Sequence, residues 1–301
     1  FIEVLSHAAN FATVEGIACP GDPEENLYDV CLGQEKTFEA IEKGLEITGC
    51  AERYCNFRNL AVRAYMMTLE AAGVPFTGLR MDMAETQIPL SRGLGSSAAM
   101  IAAGVVAANG EAGYPFDNRK MLEIATRIEG HPDNLAPAFF GGLTASMVDN
   151  GLPVCVSFPL HPDWEIIALV PDFNLPTSKA RAVLPEQVSR ADAIYNVSHG
   201  ALVLKALELG DEKLLRHAMQ DKLHQKYRKS LVQDYEAIEG YVRTLGAGFC
   251  LSGAGPTLLC ITRNKTVREK LEAKLPAITK ANWEILPLHI EFEGAHIIYE
   301  E

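Results

Sequence analysis

A turn of glycine and serine residues is the first part of this sequence whose residue types could do chemistry. It covers 93–97, with the sequence Gly-Leu-Gly-Ser-Ser, and precedes a run of Ala, Met, Ile and Val. Glycine lets peptide N–H groups approach an anion, and the first turn of a helix leaves its amides electropositive. Serine hydroxyls can also ligate Mg²⁺. The turn predicts a phosphate site, the alternative being a plain turn in which Ser97 caps a helix.

A second polar cluster follows at the predicted end of a helix. Glu129, His131 and Asp133 lie within five residues of one another there. Glu129 could complete a Mg²⁺ shell with a serine, while His131 and Asp133 could hold a polar substrate. The alternatives are a solvated charge for Glu129 and a surface histidine for His131. No second His or Cys lies at the spacing of a zinc site.

A third segment, 252–257, has the sequence Ser-Gly-Ala-Gly-Pro-Thr and lies between two apolar strands. Its small residues would let this loop pack closely against another stretch of backbone. Taken by itself, the segment is also typical of a hairpin turn.

The elements that position these segments are predicted from hydrophobic periodicity. Helices are expected over 57–72, 97–109 and 121–130, and the stretch 186–245 is expected to be helical throughout. An Asn150-Gly151 pair between apolar runs predicts a hairpin. Strands and helices occur in clusters without regular alternation, which indicates an α+β protein. We place a domain boundary near 160, giving an N-terminal domain at 1–160 and a C-terminal domain at 161–301.

Composition narrows the classes of partner. The chain has 301 residues and a formal net charge of −12 at pH 7, which disfavours nucleic acid and anionic membrane surfaces as partners. We find neither a signal peptide nor the roughly 20 consecutive apolar residues that span a bilayer, so we expect a cytoplasmic protein. The seven cysteines include no C-x-x-C pair and are expected to be reduced and mostly buried.

The three segments, taken in order, resemble the motifs of the GHMP kinases. The matching stretches are PLSRGLGSSAA at 89–99, EGHPDN at 129–134 and LSGAGPT at 251–257. Within that superfamily the similarity is closest to the homoserine kinases, through the stretches at 131–142, 177–185 and 226–231. The resemblance implies that 1–160 is an N-terminal ATP-binding domain of ribosomal-protein-S5-like topology and that 161–301 is a ferredoxin-like C-terminal domain.

The implied activity is ATP-dependent phosphorylation of the hydroxyl of L-homoserine, with ATP and Mg²⁺ bound and a homodimer as a further implication. A sister kinase acting on mevalonate or a sugar, and a non-catalytic nucleotide-binding relative, remain alternatives. By resemblance, Thr177, Asp133 and Arg181 are catalytic, and Ser97 and Glu129 hold the metal. The substrate-binding residues are His131, Asp133, Arg181 and Arg228. The implied nucleotide-binding residues are Asn59, Pro89, Arg92, Gly93, Leu94, Gly95, Ser96, Ser97, Ser252, Gly253 and Gly255.

The start of the chain departs from the family pattern. GHMP kinases begin with a strand and a P-x-x-x-N-L-G-P-G-F-D loop, whereas here a strand-like segment at 1–4 is followed by Leu-Ser-His. We expect that a segment after Val4, or ahead of Phe1, is absent from the printed sequence. An intact mass of 32.8 kDa for the purified protein would contradict this expectation.

Overall fold

A computed structural model of the chain describes residues 28–31, 37–83, 88 and 92–298. These residues pack into two units. The N-terminal unit holds the described residues up to 88, Gly95–Ser157 and 290–298, and the C-terminal unit holds 92–94 and Phe158–His289. The predicted division after residue 160 stays a prediction for the whole chain, because 1–27 lie outside the described residues. The departure from the family pattern at 1–7 lies outside them as well.

The N-terminal unit is built on a five-stranded sheet. Its strands are β1 (Tyr28–Cys31), β2 (Thr37–Ala40), β3 (Gly44–Thr48), β4 (Gly78–Asp82) and β11 (His296–Ile298). Their order across the sheet is β11-β1-β2-β4-β3, with β3 and β4 parallel and the other pairs antiparallel. A separate antiparallel pair, β5 (Leu143–Asp149) and β6 (Leu152–Phe158), is joined through Asn150 and Gly151, both at positive φ. The predicted hairpin is confirmed.

The described residues of the N-terminal unit also form four α-helices. They are α1 (Leu60–Ala72), α2 (Ser96–Glu111), α3 (Asn118–Glu129) and α4 (Leu135–Phe140). In α2 the small side chains allow close packing, since a Cβ on Gly104 would lie 2.1 Å from the carbonyl oxygen of Ala61 in α1. The prediction that α1 starts at 57 is wrong by three residues, because Asn59 caps the helix and accepts a hydrogen bond from the amide of Ala61.

The C-terminal unit has a four-stranded antiparallel sheet. Its strands are β7 (Glu165–Pro171), β8 (Gly248–Leu251), β9 (Leu258–Thr262) and β10 (Trp283–Leu288), in the order β10-β7-β9-β8. The first and second of these strands are separated by helices, as are the third and fourth, which is the ferredoxin-like arrangement. All five residues of β9 are buried, as expected for a strand covered on both faces.

The helices of the C-terminal unit interrupt a stretch that was expected to be continuous. They are α5 (Thr177–Ala182), α6 (Arg190–Leu209), α7 (Glu212–Ala218), α8 (Gln225–Arg228), α9 (Tyr235–Leu245) and α10 (Val267–Ile278). The prediction of helix throughout 186–245 is therefore wrong. Gly210 adopts φ 68° and ends α6, and Asp211 then caps α7 by accepting a hydrogen bond from the amide of Leu214. These are local stop and start signals.

Within the described part of the chain, no helix combines the length and the apolarity needed to cross a membrane.

Candidate functional site

The glycine-serine turn ends in the start of helix α2. Gly95 precedes that helix with φ 73° and has no side chain with which to cap it. The first-turn amides, beginning with those of Ser96 and Ser97, have no partner inside the helix. A Cβ on Gly95 would meet only the Oδ1 atom of Asn134, at 3.9 Å. The space that a Cβ on Gly95 would occupy is therefore otherwise open.

Ser97 and Glu129 form a direct contact between α2 and α3. The Ser97 hydroxyl donates a hydrogen bond of 2.7 Å to Oε2 of Glu129. Two ligands at adjacent corners of a Mg²⁺ octahedron, each about 2.1 Å from the ion, are about 3 Å apart. The two oxygens thus already stand close to the separation that a shared Mg²⁺ requires.

His131 and Asp133 form a hydrogen-bonded pair directly after α3. Nδ1 of His131 lies 2.6 Å from Oδ1 of Asp133, and the same oxygen accepts a bond of 2.7 Å from the amide of Asn134. When the Asp133 carboxyl is ionised it can only accept, and His131 then donates from Nδ1. The Asp133 side chain is 7% exposed and that of His131 is 26% exposed. The arrangement fixes both side chains in one orientation.

Asn59 lies beside an open pocket of the N-terminal unit. The pocket is lined by Arg53, Tyr54, Asn56, Phe57, Arg58 and Asn59. The Asn59 side-chain amide donates to the carbonyl of Tyr54 at 3.1 Å, in addition to its capping bond to α1. Tyr54 and Phe57 are exposed aromatic residues, which suits a flat apolar ligand. Asn59 therefore has a structural role at the edge of this pocket.

Gly93 packs against the loop at 252–257 in the C-terminal unit. The Ser252 hydroxyl donates to the carbonyl of Gly93 at 2.6 Å, and a Cβ on Gly93 would lie 2.4 Å from the carbonyl oxygen of Ser252. Gly93 also adopts φ 81°. Both the close approach and the backbone angle exclude a side chain at this position.

Arg92 and Leu94, on either side of Gly93, anchor this segment. The Arg92 guanidinium donates to Oδ1 of Asn174 at 3.0 Å and to the carbonyl of Pro171, and its own carbonyl accepts from the amide of Thr257 at 3.2 Å. Leu94 is buried. These contacts hold the backbone of Gly93 in place, and the predicted nucleotide contacts of Arg92 and Leu94 stay predictions. Pro89 lies outside the described residues.

The two arginines predicted to bind substrate have different surroundings. Arg228 is buried, and it donates to the carbonyl of Ala180 in α5 at 3.1 Å and to the carbonyl of Gly253 at 3.2 Å. Arg228 thereby ties α5 to the loop that contacts Gly93. Arg181 and Thr177 are on α5 and are exposed. The structure thus brings Arg228 and Gly253 together, and it places Arg181 where a ligand in solution can reach it.

The chain matches two family models and a relative of known family. The family model for the GHMP kinases N terminal domain matches residues 59–142, and the model for the GHMP kinases C terminal region matches 203–280. A homoserine kinase of Clostridium botulinum (strain ATCC 19397 / Type A) is 41% identical over 296 residues, which cover 97% of each chain. The chain belongs to the GHMP kinase family.

Solved structures agree with the GHMP kinase fold. A homoserine kinase from Cytophaga hutchinsonii has a TM-score of 0.80 and 21% identity, covering 93% of this chain and 100% of that one. A mevalonate kinase from L. major, solved with R-mevalonate, has a TM-score of 0.60 and 18% identity, covering 87% and 90% of the two chains. The predicted two-domain α+β GHMP kinase fold is confirmed. Fold alone does not separate these substrates.

The residues of this GHMP kinase fit a nucleotide and Mg²⁺. Gly95 leaves the start of α2 without a side-chain cap. Two hard oxygen donors, on Ser97 and Glu129, lie 2.7 Å apart. Among the described residues no cluster of three or more His, Cys, Asp or Glu side chains could hold a metal. Mg²⁺ usually takes one or two protein oxygens and completes its shell with water and phosphate.

Sequence reasoning missed the residues that support the site. Asn174 fixes Arg92, and Asp221 fixes the start of α8 by accepting from the amides of His224 and Gln225 at 2.7 and 2.6 Å. His224 in turn lies 3.4 Å from Arg228, between Nδ1 and Nη1. An Asp shortly before a helix is a capping signal that could have indicated Asp221. Nothing in the sequence around Asn174 could have indicated its partner.

Proposed function

We propose that this GHMP kinase is a homoserine kinase. It transfers the terminal phosphoryl group of ATP to the side-chain hydroxyl of L-homoserine, giving O-phospho-L-homoserine and ADP. The 41% identity with a homoserine kinase, over 97% of both chains, is the observation that carries this proposal. The cytoplasmic location and the homodimer stay predictions.

Nucleotide binding is assigned to backbone amides and oxygen donors. The peptide N–H groups of 93–97 hydrogen-bond the phosphates of ATP, as helix starts and glycine turns do for anions. Ser97 and Glu129 hold Mg²⁺, which supplies charge neutralisation at the phosphates when it is bound. The adenine ring takes the pocket beside Asn59. Ser252 and Gly253 support this nucleotide site through the contact between Ser252 and Gly93.

Substrate binding is assigned to charged groups that match a zwitterion. Arg181 binds the carboxylate of homoserine, because an exposed guanidinium group can pair with a carboxylate through two parallel hydrogen bonds. Arg228, whose Nε and Nη1 atoms already donate to the carbonyls of Ala180 and Gly253, binds the same carboxylate through Nη2 and its positive charge. The His131–Asp133 pair, already locked at 2.6 Å, offers Asp133 to the ammonium group and orients the hydroxyl. Thr177 lies near the transferred phosphoryl. A neutral sugar has no carboxylate for Arg181 to bind.

Phosphoryl transfer needs positioning more than a strong base. Its transition state is loose, so that the bond to the leaving group is largely broken before the new bond forms. The chain therefore contributes mainly by aiming the homoserine hydroxyl and by neutralising charge on the phosphates. We assign no obligatory base, and the proton leaves the hydroxyl late in the reaction. Asp133 is the residue whose substitution tests this assignment.

A coupled assay of ADP release tests the proposed function. The purified protein is assayed with homoserine, mevalonate, galactose and shikimate, each with and without Mg²⁺. We expect turnover with homoserine only and dependence on Mg²⁺. Turnover with mevalonate or galactose would identify a sister kinase instead. Tight ATP binding without turnover on any of the four alcohols would identify a non-catalytic relative.

A further inference from the structure

Two cysteines lie side by side in the N-terminal unit. Sγ of Cys50 is 3.7 Å from Sγ of Cys55, and both residues are half-buried, so reagents in solution can reach them. The other described cysteine side chains are Cys250 and Cys260, which are buried, and Cys155, which is half-buried. Among the described thiols, the contact between Cys50 and Cys55 is the one that brings two sulfurs within reach of each other.

The two thiols enclose a tight turn. A 3₁₀ turn covers Glu52–Tyr54 between them, in which the amide of Tyr54 donates to Ala51 at 2.8 Å and that of Cys55 donates to Glu52 at 3.0 Å. Sulfur atoms joined by a disulfide are about 2.05 Å apart, so the pair must close by about 1.6 Å from its 3.7 Å separation. Side-chain rotation and a small change in the turn supply that movement.

The same turn forms one wall of the pocket beside Asn59. Arg53 and Tyr54 line the pocket, and the Tyr54 carbonyl accepts the 3.1 Å hydrogen bond from the Asn59 side chain. The Arg53 guanidinium also lies 4.8 Å from the centre of the Tyr54 ring. A change in the backbone between residues 50 and 55 is therefore transmitted to Tyr54 and to the orientation of Asn59.

We propose that Cys50 and Cys55 form a reversible intramolecular disulfide that reshapes the pocket beside Asn59 and weakens binding of the nucleotide base. The effect on the base rests on the proposed function, whereas the disulfide itself does not. Disulfides of proteins in a reducing compartment are usually transient and act as redox sensors. The oxidant is a peroxide.

Two thiols and one molecule of hydrogen peroxide give one disulfide and two molecules of water. The sulfur of Cys55 attacks hydrogen peroxide, the O–O bond breaks, and a sulfenic acid and one water form. The sulfur of Cys50 then attacks that of Cys55, the S–O bond breaks, and the released hydroxide takes the Cys50 proton as a second water. Burial, followed by the contact with Cys55, raises the pKa of Cys50 to about 11, so Cys50 is mostly in the thiol form and is not assigned the first attack on peroxide. Dithiothreitol reverses the oxidation.

Trypsin gives a direct test, because Arg53 lies between the two cysteines. Cleavage after Lys43, Arg53 and Arg58 produces separate peptides 44–53 and 54–58. Treatment of the full chain with hydrogen peroxide should join these two peptides, with the loss of two hydrogen atoms, and dithiothreitol should separate them again. The matched control is Cys155→Ser, which keeps both thiols and should behave as the wild type. Peptides that stay separate after oxidation, or that carry only sulfinic acid, would overturn the proposal.

Nucleotide affinity gives the second measurement. ADP binding is measured by calorimetry on the reduced and the oxidised chain, and on Cys55→Ser, which cannot form the disulfide. We expect the oxidised chain to bind ADP about tenfold more weakly, because one well-placed contact is lost. The ADP affinity of Cys55→Ser should be insensitive to peroxide. Equal affinity in both redox states would overturn the link to the pocket. A reduced chain that binds no ADP would instead overturn the proposed function, while the peptide map still decides whether the disulfide forms.

Discussion

Ser97 and Glu129, 32 residues apart in sequence, are joined by a hydrogen bond of 2.7 Å from the serine hydroxyl to Oε2 of the carboxylate. Ser97 lies in the first turn of α2 and Glu129 ends α3, so the packing of two helices sets the distance between two hard oxygen donors. Removing either donor should change Mg²⁺ binding without changing the elements that carry it.

The first prediction concerns Glu129. Glu129→Gln keeps the size of the side chain but removes the negative charge, so we expect kcat to fall by about 100-fold and the Mg²⁺ requirement to rise. ADP release is measured over a Mg²⁺ titration. The control is Glu123→Gln on the same helix, whose carboxylate pairs with Lys120 at 2.9 Å and with Arg127. An unchanged Mg²⁺ titration in Glu129→Gln would rule out Glu129 as a metal ligand.

The second prediction compares two glycines of one turn. Gly95→Ala should lower the free energy of unfolding by about 1–2 kcal/mol, since only the left-handed backbone opposes the new methyl group. Gly93→Ala should lower it by about 3–4 kcal/mol, because its Cβ also meets backbone oxygen of the 252–257 loop. Urea unfolding is followed by circular dichroism and by Trp164 and Trp283, which both lie in the C-terminal unit with Gly93. Equal losses for the two variants would contradict the close contact of Gly93.

The third prediction concerns the exposed arginine of α5. Arg181→Ala should raise KM for homoserine by about 10- to 100-fold, because a charge-assisted hydrogen bond is lost. KM for ATP should be unchanged. An analogue with a hydroxymethyl group in place of the carboxylate should be insensitive to the substitution. Lys179→Ala, on the same helix, is the matched control and should leave both KM values unchanged. Equal effects on homoserine and the analogue would exclude a carboxylate contact.

The fourth prediction concerns Asp133. Asp133→Asn should lower kcat by less than about 100-fold, because the loose transition state does not need a strong base. It should also raise KM for homoserine, since the charge facing the substrate ammonium is lost. Single-turnover kinetics separate the chemical step from binding. A fall of about 10⁴-fold in the chemical step, with normal homoserine binding, would instead make Asp133 the general base.

The fifth prediction concerns pH and Asp234. Burial acts to raise the pKa of this carboxyl, but hydrogen bonds from the amides of Ala281 and Lys280 outweigh it and leave the pKa below its usual value. A lowered folded-state pKa stabilises the fold above the unfolded pKa of about 3.9, and that stabilisation is lost as pH falls through the folded pKa.

Asp234→Asn should therefore cost stability near neutral pH, and the difference from the wild type should shrink as the pH falls below about 4. The free energy of unfolding is measured in urea by tryptophan fluorescence, since the Trp283 side chain donates to Asp234 at 3.4 Å. A difference that grows towards low pH would contradict the lowered pKa.

The local elements of this fold were predictable because their signals are local. The Asn150-Gly151 turn and the apolar strands on either side of it lie within a few residues of one another, and turn chemistry alone specifies the hairpin. The order of the three glycine- and histidine-containing segments likewise indicated the GHMP kinases. The continuous helix expected over 186–245 failed because Gly210 and Asp211 end one helix and begin the next.

The sequence by itself determined which residue types the site would contain and the elements that carry them. The tertiary structure decided their partners: Ser252 bonds Gly93 from 159 residues away, Asn174 holds Arg92, and Arg228 is buried while Arg181 is exposed. Periodicity reports only which face of an element is apolar. Distances between residues far apart in sequence depend on how whole helices and sheets pack, and that packing alone places the side-chain oxygens of Ser97 and Glu129 within reach of each other.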